Sequence, residues 1–369
     1  APMPGRLVRC HRWPEIARGE VSVIGREEKA VSPLAAGDLE RERLLTVENL
    51  TKHFPIRRSL VQALRREQPA PVRAVDGVNL NIQQGRTLGL VGESGSGKTT
   101  VGRTLLRLIE PTAGVVEFEG VNLASLSPAE LRGYRKRMQI IFQDPASSMN
   151  SRLTVERIVG EGLILHKMVR DRSELRERVG TLLEQVGLSR SYMGRYPHEF
   201  SGGQRQRISI ARALSVGPSF VVADEPVSAL DVSIQSQILN LLADLQSQYG
   251  LSYLFVAHNL AVVENFCDRV AVMYLGRIVE QAWSEELYRR PLHPYTQILI
   301  AAIPEPDPNA RKEQVPVKGE PPSPVKPPPG CPFHPRCPLT VDKCRQENPP
   351  LVPLSDNPEH LVACWVNWR

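Results

Sequence analysis

No stretch of this sequence stays apolar long enough to span a bilayer, and 41% hydrophobic residues is ordinary for a soluble chain. The chain is therefore not expected to cross a membrane by itself. Nor does an apolar segment follow the early arginines, which removes the expectation of a secretory signal. Charge of one sign is scarce as well: 46 Lys and Arg against 40 Asp and Glu leave +6, spread along the chain. Without a concentrated basic patch, no nucleic-acid partner is expected. Cysteine is sparse. Of six, Cys10 and Cys267 stand alone, and Cys331, Cys337, Cys344 and Cys364 fall in the last forty residues.

What is present centres on Gly92-Glu93-Ser94-Gly95-Ser96-Gly97-Lys98-Thr99, which fits the P-loop pattern G-x-x-x-x-G-K-[ST] at every fixed position. The run before it, from Thr87, reads as a short buried strand, and after Thr100 apolar residues recur at helical spacing. In that setting the glycines let consecutive N–H groups converge on phosphate oxygens, with the dipole of the next helix aimed at them. Gly92, Gly95 and Gly97 shape the turn, and Ser94 and Thr100 belong to the same cradle. Lys98 supplies charge for the outer phosphates, and the Thr99 hydroxyl is a ligand for Mg²⁺. A nucleoside triphosphate is the expected ligand. A soluble domain using ATP is normally in a reducing compartment, so disulfides are not expected.

Around the P-loop the chain reads as α/β. Residues 1–43, rich in Arg, Pro and Glu without periodicity, read as a disordered tail. Alternation at Leu45, Val47 and Leu50 predicts a strand ending near Phe54. A basic insert (Arg57, Arg58, Arg65, Arg66) then reads as a solvated face, and strand-like alternation returns at 74–80. Ser127-Pro128-Ala129-Glu130 is a capping box whose helix runs to about Lys136, and Met138 to Phe142 reads as a buried strand that delivers Gln143. From 154 to 187 the pattern is helical only, with Ser173 capping the run 174–186 and Gly187 ending it, so a helical insertion is expected at about 150–215. Residues 220–223 and 253–257 are too apolar for half-exposed strands, which predicts a largely parallel sheet covered on both faces. The domain spans 44–302. Prolines then make 303–330 a linker, followed by a cysteine-bearing extension at 331–369.

Four apolar residues precede Asp224-Glu225, the arrangement of a buried strand ending in a carboxylate pair. Asp224 is suited to hold Mg²⁺ and Glu225 to polarise an attacking water as general base. The most specific segment is Phe200-Ser201-Gly202-Gly203-Gln204-Arg205-Gln206-Arg207. Here the chain resembles the ATP-binding-cassette family, whose signature is S-G-G-Q. The resemblance implies that Ser201, Gly202, Gly203 and Gln204 open a helix facing the γ-phosphate held by a second cassette. It also implies that Gln143 senses Mg²⁺, that Asp231 lies at the dimer seam, that His258 contacts the γ-phosphate, and that Phe54 stacks on adenine. The expected cofactors are ATP and Mg²⁺.

A narrower similarity, covering 44–365, is to the ATPase subunits of oligopeptide and dipeptide importers. It is carried by Phe142-Gln143-Asp144-Pro145, by 227–233 and 273–280, by Pro291-Leu292-His293-Pro294-Tyr295-Thr296, and by Cys331-Pro332-Phe333-His334-Pro335-Arg336-Cys337-Pro338. It implies a peripheral subunit on the cytoplasmic face of the membrane. Its partners would be a second ATPase subunit, identical or paralogous, two transmembrane permease subunits and, indirectly, an extracytoplasmic solute-binding protein. Other small solutes such as nickel stay open as cargo, as does a soluble cassette ATPase acting on ribosomes or DNA. Against the latter, the chain carries one set of motifs and no coiled-coil insertion. Cys331, Cys337, Cys344 and Cys364 are separated by five, six and nineteen residues, unlike the close pairs of structural zinc sites. Their surroundings lack a core pattern, so a bound metal would supply folding energy, and a [4Fe–4S] cluster is expected there ahead of zinc. Some members of the subfamily carry such a cluster.

Overall fold

In the computed structural model, residues 43–56, 70–303 and 319–367 are described. The expected N-terminal tail, apart from Arg43, lies outside the described residues, as do 57–69 of the basic insert and 304–318 of the linker.

Among the described residues the strands form two sheets. β1 (Arg43–Phe54) and β2 (Val72–Gln83) are long antiparallel partners. β3 (Thr87–Val91) departs for the second sheet, and β4 (Ala113–Phe118) and β5 (Val121–Asn122) complete the first in the order β2-β1-β4-β5. Alternation drives this pairing: Leu45, Val47, Leu50, Val78, Leu80 and Ile82 are buried, while Thr46, Glu48, Asn79 and Asn81 between them reach water. The second sheet has a parallel centre made of β6 (Met138–Ile141), β7 (Phe220–Asp224), β8 (Ser252–Ala257), β3 and β9 (Arg269–Tyr274). β10 (Arg277–Trp283), β11 (Val352–Pro353) and β12 (Leu361–Val362) extend it antiparallel, giving the order β11-β12-β10-β9-β3-β8-β7-β6.

β3, β7 and β8 are buried along their whole length, and successive side chains enter different cores. Leu88, Leu90, Phe220, Val222, Leu254 and Val256 pack with the antiparallel sheet and with Val101 and Leu105 of the helix Lys98–Leu105. Val91, Val221, Ala223, Tyr253, Phe255 and Ala257 pack with the helical insertion. With each such side chain contributing about 1.5–3 kcal/mol, both faces demand apolar residues, and polar alternation disappears. β6 is different. It is the free edge of the sheet, so Gln139 and Ile140 are partly exposed, and the expected fully buried strand is half-buried.

The insertion consists of helices Val155–Leu165, Arg172–Gln185 and Gly202–Leu214 with short 3₁₀ turns between them. Its second helix is capped by Asp171, whose carboxylate accepts from the Glu174 N–H at 2.9 Å, and not by Ser173, which lies inside the helix. Glu174 reaches back to the Arg170 N–H at 2.9 Å, which sets the start two residues early. Gly187 ends that run at φ +71. The Ser127–Glu130 capping box forms as expected, and its helix ends at Tyr134. Among the described residues no helix is long and apolar enough to cross a membrane.

The C-terminal extension overturns the expectation that it lacks a core. Phe333 is 1% exposed, 5.2 Å from the Tyr274 ring and 5.4 Å from that of Tyr295, and Leu361 and Val362 pair with Gln281 and Glu280 of β10. Glu280 is fully buried, accepts from the Leu292 and His293 N–H groups at 2.8 and 3.0 Å, and meets His360 Nε2 at 2.8 Å. His293 caps the helix Pro294–Ala301 through Nδ1, which accepts from the Tyr295 N–H at 3.1 Å. Burial holds its pKa down to about 4. Burial thus supplies the extension with folding energy of its own.

Candidate active site

The P-loop leaves the buried end of β3 and enters the helix at Lys98. A Cβ on Gly92 would lie 2.1 Å from the Met273 carbonyl oxygen, and one on Gly97 would lie 2.1 Å from that of Ala74, with φ at +152 and +107. Only glycine lets the loop pass between these two backbones. Lys98 folds back inside the loop, donating to the carbonyls of Gly92 and Glu93 at 2.7 and 3.0 Å. Burial lowers its pKa against the pull of Glu225, Asp224 and Glu93. The carbonyls are weak partners for a buried ammonium, which a phosphate would satisfy better.

Asp224 ends β7 at 1% exposure. Its Oδ1 accepts from the Thr99 hydroxyl at 2.9 Å, and its Oδ2 is buried without a partner. Burial raises its pKa, with the Thr99 hydrogen bond opposing. An orphaned carboxylate oxygen beside a threonine hydroxyl is a hard oxygen donor set, so these residues fit Mg²⁺. Glu225 follows in the left-handed region at φ +46, a costly conformation for a non-glycine residue, and its N–H is held by the Val256 carbonyl at 3.0 Å. Its Oε2 accepts from Gln143 Nε2 at 2.9 Å and meets His258 Nδ1 at 3.2 Å. Gln143 comes from just beyond the edge strand β6 and His258 from just beyond β8, so three strand ends converge on one carboxylate.

A cavity of about 500 Å³ opens here. Ser94, Gly95, Gly97, Lys98, Thr99, Thr100, Gln143, Glu225 and His258 line it, as the sequence leads one to expect. Val72, Ala74 and Pro324, which sequence reasoning missed, complete the wall. Phe54 is not in that wall but pairs with Val72, which is, and the Lys52 ammonium sits 5.0 Å over its ring. Ser201, Gly202, Gly203, Gln204 and Asp231 do not line the cavity either. Ser201 is exposed and caps its own helix in a reciprocal box with Gln204, at 3.4 Å to the Gln204 N–H and 3.1 Å from its own N–H to Gln204 Oε1. Asp231 is the N-cap residue of the helix Val232–Tyr249, with no side-chain capping bond.

Glu93, an unspecified position of the P-loop motif, is gripped from outside the loop. Its N–H donates to Tyr295 Oη at 2.8 Å, and its carboxylate takes both terminal nitrogens of Arg336 at 2.8 and 3.0 Å. The only local signal was that Tyr295 and Arg336 lie in the two C-terminal segments of narrower similarity.

The four C-terminal cysteines share a neighbourhood. Burial pushes the Cys331 thiol up to about 11, with Cys344, Cys337 and Cys364 adding to the rise, and Cys337 is raised by burial and then by Cys364 and Cys344. Yet among the described residues no group of three or more His, Cys, Asp or Glu could hold a metal ion. The expected cluster site is therefore not preformed.

Parallel strands ending in a P-loop, a carboxylate pair, a glutamine and a histidine define a nucleotide-binding cassette ATPase. Comparison narrows the class. Residues 75–228 match the family described as "ABC transporter", and 279–344 match "Oligopeptide/dipeptide transporter, C-terminal region". The chain is 53% identical over 325 residues to the "Probable peptide ABC transporter ATP-binding protein y4tS" of Sinorhizobium fredii, covering 88% of this chain and 90% of the relative. It is 48% identical over 327 residues to the "Oligopeptide transport ATP-binding protein AppF" of Bacillus subtilis, covering 88% and 97%. Among solved structures it resembles the cassette MJ0796, in a dimeric post-hydrolysis state bound to ADP and Pi, with a TM-score of 0.58 and 28% identity over 65% of this chain and 98% of that one. It also resembles cbiO1 from Clostridium perfringens, with a TM-score of 0.57 and 27% identity over 68% and 92%. The chain belongs to the family of ABC transporter ATP-binding proteins, in the branch that carries the oligopeptide/dipeptide C-terminal region.

Proposed function

We propose that this chain is the ATP-hydrolysing subunit of a membrane transporter that imports oligopeptides or dipeptides. The observation that carries the reading is the convergence of Gln143 and His258 on Glu225, beside the Thr99–Asp224 pair and the P-loop. Lys98 and the N–H groups of the loop, shaped by Gly92, Ser94, Gly95, Gly97 and Thr100, bind the outer phosphates. Thr99, Asp224 and Gln143 would hold Mg²⁺, which would supply neutralising charge to the phosphates. Glu225 takes a proton from the water whose oxygen attacks the γ-phosphorus as the bond to the bridging oxygen breaks. His258 contacts the γ-phosphate and Phe54 stacks on the adenine.

The remaining site residues serve a second cassette, identical or paralogous. Ser201 to Gln204 and Asp231 complete the partner's site across the seam. This reading is supported by their absence from this chain's own cavity wall and by the dimeric state of MJ0796. Residues 44–302 act as the ATPase domain, 303–330 as linker and 331–369 as extension. The subunit sits peripherally at the cytoplasmic face, moving two permease subunits supplied by a solute-binding protein. Peptide as cargo is supported by the names of the relatives and by the match over 279–344.

The test is a pair of variants. Lys98→Ala loses tight ATP binding, whereas Glu225→Gln keeps it and slows hydrolysis by about 10²–10⁴, the cost of removing a positioned base. Hydrolysis by Glu225→Gln at the unmutated rate would show that the base is another group. For the extension, the finer proposal is that Cys331, Cys337, Cys344 and Cys364 close around a [4Fe–4S] cluster. Their shared neighbourhood supports it, and brown, anaerobically purified protein with about four iron and four sulfide per chain is the expected result. Protein without metal, its thiols titrating freely, would end that part.

A further inference from the structure

We infer that Arg336 of the C-terminal extension is a positioning residue of the nucleotide site, holding the P-loop in its binding conformation through Glu93. The inference rests on the nucleotide reading of the loop and adds a part of the chain to it.

Three groups hold Glu93. Tyr295 Oη takes its N–H, Lys98 donates to its carbonyl at 3.0 Å, and Arg336 makes two parallel bonds to its carboxylate. The Arg336 residue is 8% exposed and the Glu93 side chain 30%. A bidentate, charge-assisted pair on a guanidinium this deeply placed is strongly directional. The guanidinium is itself fixed. It lies 5.9 Å from the ring centroids of Tyr274 and Phe333, its Nη1 reaches Tyr274 Oη at 3.4 Å, and its backbone N–H donates to the Phe333 carbonyl at 3.0 Å. Phe333 and Tyr274 belong to the buried core, so the anchor is backed by packing rather than by a mobile arm.

The neighbouring residues point the same way. The Arg73 N–H donates to the Pro324 carbonyl at 3.1 Å, and Pro324 lines the nucleotide cavity together with Val72 and Ala74. The extension and the linker before it therefore touch the site at two places, one on the wall and one on the loop. Lys98 and Arg336 meet the same residue, so releasing the carboxylate frees the peptide whose carbonyl orients the P-loop lysine. A loop that must be ordered on binding costs affinity that a fixed loop keeps.

The experiment uses the full chain, with a fluorescent ATP analogue and Mg²⁺, and compares Arg336→Met, Glu93→Met and the double variant. Replacing both partners by apolar groups of similar length avoids the unpaired buried charge of the single changes, so the double variant folds even where a single one does not. Each variant is expected to raise Kd about tenfold, with the double no worse than either single, because all three remove one and the same anchor. At saturating ATP the rate is expected to change by less than about threefold, since a positioning contact acts mainly on the ordering cost of binding. A double variant with the unmutated Kd would overturn the inference, and a lowered melting temperature beside it would leave Arg336 a stabilising role only. So would a double defect near a hundredfold, the product expected of independent contributions. Lys98→Ala serves as the reference: if it abolishes binding while the Arg336 and Glu93 variants bind normally, this inference fails and the nucleotide reading stands. If Lys98→Ala also binds normally, the nucleotide reading fails as well.

Discussion

Two helices of this chain begin at glycine-rich turns, and they satisfy their first N–H groups in opposite ways. At Lys98–Leu105 the N-cap is Gly97, no side chain caps the helix, and neighbouring backbone pins the turn. At Gly202–Leu214 the N-cap is Ser201, which closes a reciprocal box with Gln204 on an exposed surface. The uncapped start keeps its donors for an anion and needs the rest of the chain to hold it. The capped start is complete by itself and stands free to meet another molecule. A third start, at Pro294–Ala301, is capped by a buried histidine and has neither role.

The sharpest way to break this contrast is to add one methyl group to each start. Gly97→Ala is expected to weaken ATP binding by about a hundredfold or more, because the new Cβ meets a backbone oxygen at 2.1 Å in a left-handed turn. Gly202→Ala, whose new Cβ would come no nearer than 3.5 Å to Leu230, should bind ATP normally. Equal losses measured by titration calorimetry would erase the distinction. Ser201→Arg comes next. Hydrolysis should fall by about a hundredfold while ATP binding by the isolated subunit stays within about twofold, the pattern of a donor that acts only in the assembled site.

The histidine cap adds a pH dependence. With a folded pKa of about 4 and an ordinary value of 6.5, His293 is protonated in the unfolded chain before it is protonated in the folded one. Its stabilisation is therefore complete above pH 6.5 and lost as the pH falls toward 4. The loss is at most about 3 kcal/mol, and His293→Asn, which can cap without titrating, should flatten it in denaturant titrations across that range. The smallest effect concerns a fourth start. Asp171→Ala should cost about 1 kcal/mol of stability and Ser173→Ala less than about 0.5, which separates the cap from its neighbour.

The P-loop, the carboxylate pair and the buried strands were legible because each is a local requirement. Gly92 and Gly97 must be glycine where they are, and β7 and β8 must be apolar on both faces. Gln143 and His258 were placed through family resemblance, and their meeting at Glu225 lies in the ends of three strands, which no local pattern records. The same holds more strongly for Arg336 and Glu93, 243 positions apart. The extension looked coreless because its apolar residues are few and unperiodic. Phe333 packs against the touching rings of Tyr274 and Tyr295, so the pattern belongs to the assembled core. Ser173 and Asp171 are both good caps, and what distinguishes them is that the Glu174 N–H donates to Asp171 while the Glu174 carboxylate reaches back to the Arg170 N–H.

The short ladder between β12 and β10 has a consequence for the chain's solubility. Without it, β10 would end the main sheet as a bare edge whose middle five residues, Ile278 to Ala282, are buried in the intact protein. Val362 and Leu361 occupy the backbone groups of Glu280 and Gln281, and β11, carrying Pro353, comes after them as the outermost strand. A proline cannot donate to a further neighbour, so the sheet stops there. A chain cut before the extension would offer β10 as a template for another copy, and precipitation, rather than loss of a ligand, would be its first symptom.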